Sequence, residues 1–281
     1  MVIDLSPDLE ALYPGITKLT VGADVTEKLG VIKYEPPESS VPGQMRTNGQ
    51  QAKRNPHFHK YTDIENFKNY NHLFQAGDAV YITEKLHGTS ARYGMLPTAS
   101  DKWWKKLLKF FKLLPEFEFC YGSRNIQLQS TVRKKVFYDT NVYAKIAKQQ
   151  SLHTVLQPGE VLYGEIVGDG IQKDYTYGCE DGEHQFYAYD VMIDGRYLDA
   201  IDFRDWCRLR GIKPVPMLYL GQWDQKIADK LRGGDSEIGG QKVREGVVIK
   251  PTQEAVTYAG RKVLKYINDD YLLLKDQTDY H

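Results

Sequence analysis

Charged side chains sit inside runs that otherwise read as β-strands, and this restricts the fold more than any other feature of the chain. AVYITEKL, FEFCYGS, EVLYGEIVG, QFYAYDVM, GVVIKP and KVLKYI are β-branched or aromatic runs bounded by Gly, Pro or polar turns, all lying after Tyr61. Lys85, Glu165, Asp190, Lys250 and Lys265 lie within or at the ends of these runs, Arg124 lies in the turn YGSRN, and Glu245 opens EGVVIKP. A charge buried unpaired in a sheet costs several kcal/mol, so these runs either line a shared polar cleft or are unrelated solvated faces. Spacing alone leaves both open. Helical patterns at 140–150, 202–210 and 223–232 are inserted irregularly, without a regular βαβ repeat. An α+β arrangement of antiparallel sheets follows.

The rest of the chain bounds the function. With 37 basic and 37 acidic side chains there is no protein-wide field to attract a polyanion, so nucleic-acid affinity requires a local basic surface. No apolar run reaches the ~20 residues of a membrane span, and the opening MVIDLSPDLEALYPG lacks a signal-peptide pattern, so the expectation is a cytoplasmic protein. Cys120, Cys179 and Cys207 form no CxxC pair and read as core thiols. Residues 1–60 read as an N-terminal extension and linker, because Glu35 to Lys60 is rich in Pro, Gly, Asn, Gln and Ser with almost nothing to bury; 61–281 reads as the main domain. His57 and His59 in that loop read as a solvated pair. In DKWWKKLLKFFKLLP, 101–115, apolar residues recur at helical spacing while Lys105, Lys106 and Lys109 lie among lysines without acidic neighbours. That predicts a basic amphipathic helix, suited to its own domain, an RNA backbone, a membrane surface or a partner.

Taken in order, Lys85-Leu86-His87-Gly88, Glu165 in LYGEIVG, Phe186 to Asp190, Glu245 to Lys250 and Lys265 resemble motifs I, III, IIIa, IV and V of the covalent nucleotidyltransferases, the superfamily of polynucleotide ligases and capping enzymes. The K-x-H-G form is similar to the RNA ligase 2 family of phage and bacteria. The segment VGADVTEKLGVIKYEPP also resembles the stretch before the catalytic domain in ligases with an N-terminal OB-type module.

The resemblance implies a ligase nucleotidyltransferase fold, ATP-grasp-like, with two antiparallel sheets flanking a nucleotide cleft. It implies ATP, carried as covalent AMP, and Mg²⁺ or Mn²⁺. Lys85 would attack the α-phosphate, the AMP would pass to an RNA 5′-phosphate, and a 3′-hydroxyl would displace it. A lysine attacks as the neutral amine, so its ordinary pKa near 10.4 has to be lowered by neighbouring cations. By motif position Lys85, Glu245 and Lys265 are catalytic, and Glu84, His87, Gly88, Arg124, Glu165, Tyr189 and Lys250 bind the nucleotide, Tyr189 stacking on adenine. Glu165 and Glu245 would hold the metal. Gln172, with Lys105, Lys106 and Lys109, would meet RNA carrying 5′-phosphate and 3′-hydroxyl ends.

Three departures qualify the match. Ser90 stands where the family commonly has Asn, and Ile267 stands where a second motif V lysine is usual. Arg261 compensates for Ile267 only if the strand carrying Lys265 runs back that far. Finally, about 60 residues precede the motifs, too few for a full additional RNA-contacting domain, which leaves room for a partner domain or chain. The rival readings are a DNA ligase or capping enzyme, against which His87 argues, and a nucleic-acid-binding or partner-dependent module with weak or no sealing.

Overall fold

Period-two alternation decides which side chains each sheet turns inward. The computed structural model describes residues 55–98, 111, 115–128 and 141–274, all within the compact unit Gln50–His281. Its strands are β1 (Glu65–Asn66), β2 (Ala79–Lys85), β3 (Thr89–Pro97), β4 (Phe117–Ser123), β5 (Gln127–Leu128), β6 (Glu160–Gly168), β7 (His184–Ile193), β8 (Arg196–Tyr197), β9 (Met217–Gln222), β10 (Gly246–Pro251), β11 (Val256–Thr257), β12 (Gly260–Arg261) and β13 (Leu264–Ile267). They form a six-stranded antiparallel sheet, β5-β4-β3-β6-β7-β8, a five-stranded sheet, β1-β13-β10-β2-β9, and the separate hairpin β11-β12. The α+β expectation holds. Among the named strand pairs of the described residues the exception to antiparallel pairing is β1, which runs parallel to β13.

All six charged β-runs are strands, KVLKYI only from Leu264 onward, and the three helical patterns are the helices Val142–Gln149, Ala200–Arg210 and Gln225–Leu231. Sequence reading misses β3, whose Arg92, Gly94 and Pro97 interrupt its apolar pattern, and β9. Pairing overrides that local weakness, because β3 is held between β4 and β6 and buries Ala91 and Tyr93.

Each sheet buries one face against helices. Leu162, Ile166, Tyr93 and Phe186 of the six-stranded sheet pack with Ile146, Phe203 and Trp206 from two helices. Val80, Ile82, Val247, Ile249 and Tyr266 of the five-stranded sheet pack with Phe67, Trp223 and Ala228. Full burial of one such large apolar side chain stabilises by about 1.5–3 kcal/mol. Side chains of opposite parity face the other sheet, and β6 shows the outcome along one strand. Val161 and Tyr163 join Phe58, Tyr61 and Met192 at one end; Val167 joins Leu86, Tyr187 and Ile267 at the other. Glu165 lies between them. The space between the sheets is therefore closed by apolar clusters at two ends and polar in the middle.

The linker expectation needs correcting at its last residues. Asn55 and Phe58 are fully buried. The Asn55 amide NH donates to Gln127 Oε1 at 2.7 Å, and its side-chain amide donates to the carbonyl of Pro97 at 2.9 Å. The Phe58 carbonyl accepts from buried Arg92 Nη1 at 2.7 Å. A segment short of apolar residues is thus anchored by hydrogen bonds, which composition does not reveal. His57 and His59 are exposed, as expected. The three cysteines are free and buried, and burial pushes the Cys120 and Cys207 thiols up to about 12. Residues 101–115, apart from Phe111 and Pro115, lie outside the described residues, as do 1–54 and the last residues from 275. Among the described residues no helix is long and apolar enough to cross a membrane.

Candidate active site

The polar middle of the inter-sheet space is an open cleft lined from both sheets. Register builds its first wall. Val248 of β10 lies opposite Thr83 on β2 and Lys265 on β13, giving one inward-facing row. Lys85 lies two residues along β2 on one side of the row, and Lys250 two residues along β10 on the other. The six-stranded sheet supplies Ser90, Glu165 and Tyr189, with Arg124 just beyond β4. Tyr61, Thr62 and Ile64 close a third side.

Lys85 ends its strand with its Nζ 2.6 Å from Glu245 Oε1; the lysine side chain is 19% exposed and the glutamate 1%. Glu245 is fixed through its backbone, its carbonyl accepting from Asn268 N at 2.9 Å. The next residue has to be glycine. Gly246 has φ +151°, and a Cβ there would meet the Tyr266 carbonyl oxygen at 2.4 Å. Across the cleft, Glu165 accepts from Ser90 Oγ at 3.1 Å. Burial pushes the Glu165 carboxyl up to about 8, opposed by the attraction of Lys85 and reinforced by Glu245. Two carboxyl groups thus flank one lysine, and Ser90 donates to one of them.

At the other end Lys250 Nζ donates to the Tyr189 carbonyl at 2.8 Å and to Asp190 Oδ2 at 3.0 Å. Asp190 is fully buried, and the same oxygen accepts from Tyr61 OH at 2.8 Å and Arg261 Nη2 at 3.0 Å. Burial, and then the Asp190 charge, hold the Tyr61 hydroxyl far above its ordinary pKa. Arg124 pairs with Asp63 at the rim.

A family model described as RNA ligase matches residues 78–267, which include every strand of the cleft. The chain belongs to the RNA ligase family. The fold is similar to Naegleria gruberi RNA ligase in several solved forms. A variant with ATP and Mn has 24% identity and a TM-score of 0.65, covering 94% of this chain and 70% of that one. A variant with AMP and Mn has 23% identity, TM-score 0.65 and the same coverage; the form with PPi has 23% identity and TM-score 0.63, again over 94% and 70%. No curated protein matches the chain.

Within this RNA ligase family cleft, the motif residues fall into two groups. Lys85, Arg124, Glu165, Tyr189, Lys250 and Lys265 line it, and Glu245 reaches it through Lys85. Others support it from behind. Glu84 borders the cleft, but it alternates to the opposite face from Lys85, and its carboxylate accepts from Glu237 N at 2.9 Å. His87 is buried edge-on to Tyr175 and Tyr271, with Nδ1 3.2 Å from Tyr271 OH and 4.0 Å from Glu245 Oε2. Gly88 lies so close to β6 that a Cβ would meet the Ile166 carbonyl oxygen at 2.2 Å. Gln172, expected to meet RNA, is half-buried and donates to the Gly88 carbonyl at 2.8 Å. Lys105, Lys106 and Lys109 lie outside the described residues.

The two motif V departures take these places. Ile267 is buried among Leu86, Val167 and Tyr271 and faces an apolar cluster. Its strand begins at Leu264, so Arg261 is not on it; Arg261 belongs to the β11-β12 hairpin and pairs with Asp190 and Glu254 behind the cleft. Sequence reasoning missed Tyr61, Thr62 and Ile64. Their nearest signal was the aromatic, β-branched pattern directly after the presumed linker.

Proposed function

We propose that this chain is an ATP-dependent RNA ligase that joins RNA 3′-hydroxyl and 5′-phosphate ends through a lysyl-AMP intermediate and an adenylylated RNA 5′ end, in the repair of broken RNA in the cytoplasm. The observation that carries this reading is Lys85, a partly exposed strand-end lysine in a cleft between two sheets, held 2.6 Å from a buried carboxylate in an RNA ligase family chain. Lys85 Nζ forms a bond to the α-phosphorus of ATP as the bond to the β-phosphate oxygen breaks and pyrophosphate leaves. Glu245 is placed to take the proton that the ammonium loses first. An RNA 5′-phosphate oxygen then displaces Lys85 from the phosphorus, and the 3′-hydroxyl attacks the RNA 5′-phosphorus with AMP leaving. Positioning and charge neutralisation carry most of such phosphoryl chemistry.

Tyr189 and Val248 face the base from opposite walls, with Tyr189 stacking on adenine, and Lys265, Arg124 and Lys250 serve the phosphates. Glu84, His87 and Gly88 act from behind, shaping the Lys85 turn. Among the described residues no group of three metal-ligating side chains is assembled. Glu165 and Glu245 nonetheless suit Mg²⁺ or Mn²⁺, since Mg²⁺ typically keeps several waters and leans on one or two carboxylates and the substrate phosphates. Such a cation, when bound, would neutralise phosphate charge. The Naegleria ligase forms solved with ATP, AMP and Mn support this assignment.

We place the catalytic domain at 61–281, with the anchored residues from Asn55 joined to it and the preceding residues as an extension. Gln172, through the Gly88 turn, and Lys105, Lys106 and Lys109 serve the RNA. A lysine-to-glutamate triple variant is expected to lower RNA affinity and flatten its salt dependence. The primary test is incubation with Mg²⁺ and ATP labelled at the α-phosphate, then a denaturing gel, with Lys85→Ala and labelled GTP in parallel. Label on the wild-type chain from ATP alone, absent in Lys85→Ala, is the expected result; no label from either nucleotide on folded, AMP-free protein overturns the reading.

A further inference from the structure

Asp190 has two cations where one would suffice. It is fully buried, and a single oxygen, Oδ2, accepts from Tyr61 OH, Lys250 Nζ and Arg261 Nη2 at 2.8, 3.0 and 3.0 Å, while Oδ1 accepts from Val191 N at 3.1 Å. Lys250 lines the cleft; Arg261 does not. Arg261 comes instead from the β11-β12 hairpin, and it is locked there. It pairs with Glu254, and its guanidinium lies over the Tyr197 ring at 3.4 Å and near that of Tyr61 at 5.4 Å. Asp190, Glu254, Lys250 and Arg261 form a charge-balanced set of two acids and two bases, 9% exposed or less except for Glu254.

A buried carboxylate that loses its sole cation is left uncompensated, which would tie that cation in place. The second cation changes the balance. If Lys250 turns toward an anion in the cleft, Asp190 still has the arginine, the tyrosine hydroxyl and a backbone NH. Lys250 already lines the cleft, as does Tyr189, whose carbonyl is its other partner.

We propose that Arg261 and Tyr61 are positioning residues that act through Asp190 on Lys250, keeping the carboxylate neutralised so that the lysine is free to turn to a nucleotide phosphate. This rests on the adenylylation reading above. It also gives Arg261 a part that a motif V compensation does not: it supplies its cation behind the cleft.

The test is a double-mutant cycle on the single-turnover rate of Lys85 labelling by α-labelled ATP, using the full chain, with ATP affinity measured separately. The wild type is read first, because absence of its label breaks the adenylylation reading, whereas full-rate labelling by Arg261→Gln breaks only the present inference. Arg261→Gln is expected to slow labelling about tenfold or more at saturating ATP; in an Asp190→Asn background, where no carboxylate holds Lys250, the same change is expected to matter less than about twofold. Arg261→Lys is expected to restore most of the rate, since it returns the charge. Equal, additive losses in both backgrounds, or no rescue by lysine, overturn the proposal. Should Arg261→Gln melt below the assay temperature, Asp190→Asn is compared directly with Asp190→Asn/Arg261→Gln: matching rates support the proposal, and a further tenfold fall overturns it.

Discussion

Lys85 and Lys250 stand on neighbouring strands of one sheet, face the same cleft, and each meets a buried carboxylate. Their surroundings otherwise differ. Lys85 is 19% exposed with Glu245 at 2.6 Å, and the cleft opens above it; Lys250 is 5% exposed, shares Asp190 with Arg261 and Tyr61, and is also bonded to a backbone carbonyl. A lysine with one strong partner and a route to ligand suits covalent attack, whereas a lysine within a compensated network suits adjustable charge. The same residue type in the same sheet is given two environments by what lies behind it, and the two proposed roles follow from them.

The sharpest way to break this contrast is to truncate each lysine in turn. Lys85→Ala is expected to lose all covalent label, because no neighbouring amine on that face ends its strand at the same place. Lys250→Ala is expected to keep the covalent chemistry but slow it by about 10²–10³, the cost of one preorganised charge on a transferring group. Single-turnover labelling reads both, and equal losses would erase the distinction.

The contrast was half legible in the sequence. Lys85, Glu245, Lys250 and Lys265 are visible as charges in β-runs, and their order carries the family resemblance. What the sequence does not show is which of two faces each side chain takes once pairing is set. Glu84 and Lys85 are neighbours, yet one serves Glu237 N and the other the cleft. Ile267 and Lys265 share a parity, yet the end of the sheet places Ile267 in an apolar cluster. β3 was missed for a related reason: its Gly94 and Pro97 weaken any local strand signal, and only β4 and β6 on either side make it a strand. The anchored segment from Asn55 was missed because hydrogen bonds, not apolar residues, hold it.

Second in size is a comparison of the two carboxylates by stability. Asp190→Asn leaves buried Lys250 without a carboxylate while Arg261 keeps Glu254, and is expected to cost about 3 kcal/mol of folding free energy, the lower end for a broken buried pair. Glu245→Gln strands only a partly exposed lysine and is expected to cost less in melting temperature but most of the labelling rate. Thermal denaturation and labelling, measured on both variants, separate a structural carboxylate from a reactive one; the same profile for the two would merge them.

Glu165 sharpens the picture at the Lys85 end. Its carboxyl is pushed up to about 8 by burial first, so a proton held there at neutral pH would compete with the proposed cation for the same oxygens. Divalent-cation affinity is therefore expected to rise as pH increases through about 8, and Glu165→Gln is expected to remove most of that rise. Mn²⁺ titrations between pH 6.5 and 9 check it. The folded state favours the protonated form, so Glu165 itself opposes folding increasingly as pH rises from the ordinary carboxylate range to about 8, which bound cation would offset.

The smallest effect belongs to Gln172, which lies outside both lysine sites but fixes the turn after Lys85. Its amide donates to the Gly88 carbonyl at 2.8 Å, and Gly88 is already pressed against β6 too closely for a Cβ. Gln172→Ala removes one hydrogen bond, worth about 0.5–1.5 kcal/mol, from a turn whose path close packing also constrains. Labelling of Lys85 is therefore expected to fall only severalfold at most, with Lys250-dependent behaviour untouched. If Gln172 also meets RNA, the later sealing step should fall further than labelling does, so the ratio of the two rates in Gln172→Ala distinguishes a residue that merely braces the nucleotide turn from one that also holds the substrate strand.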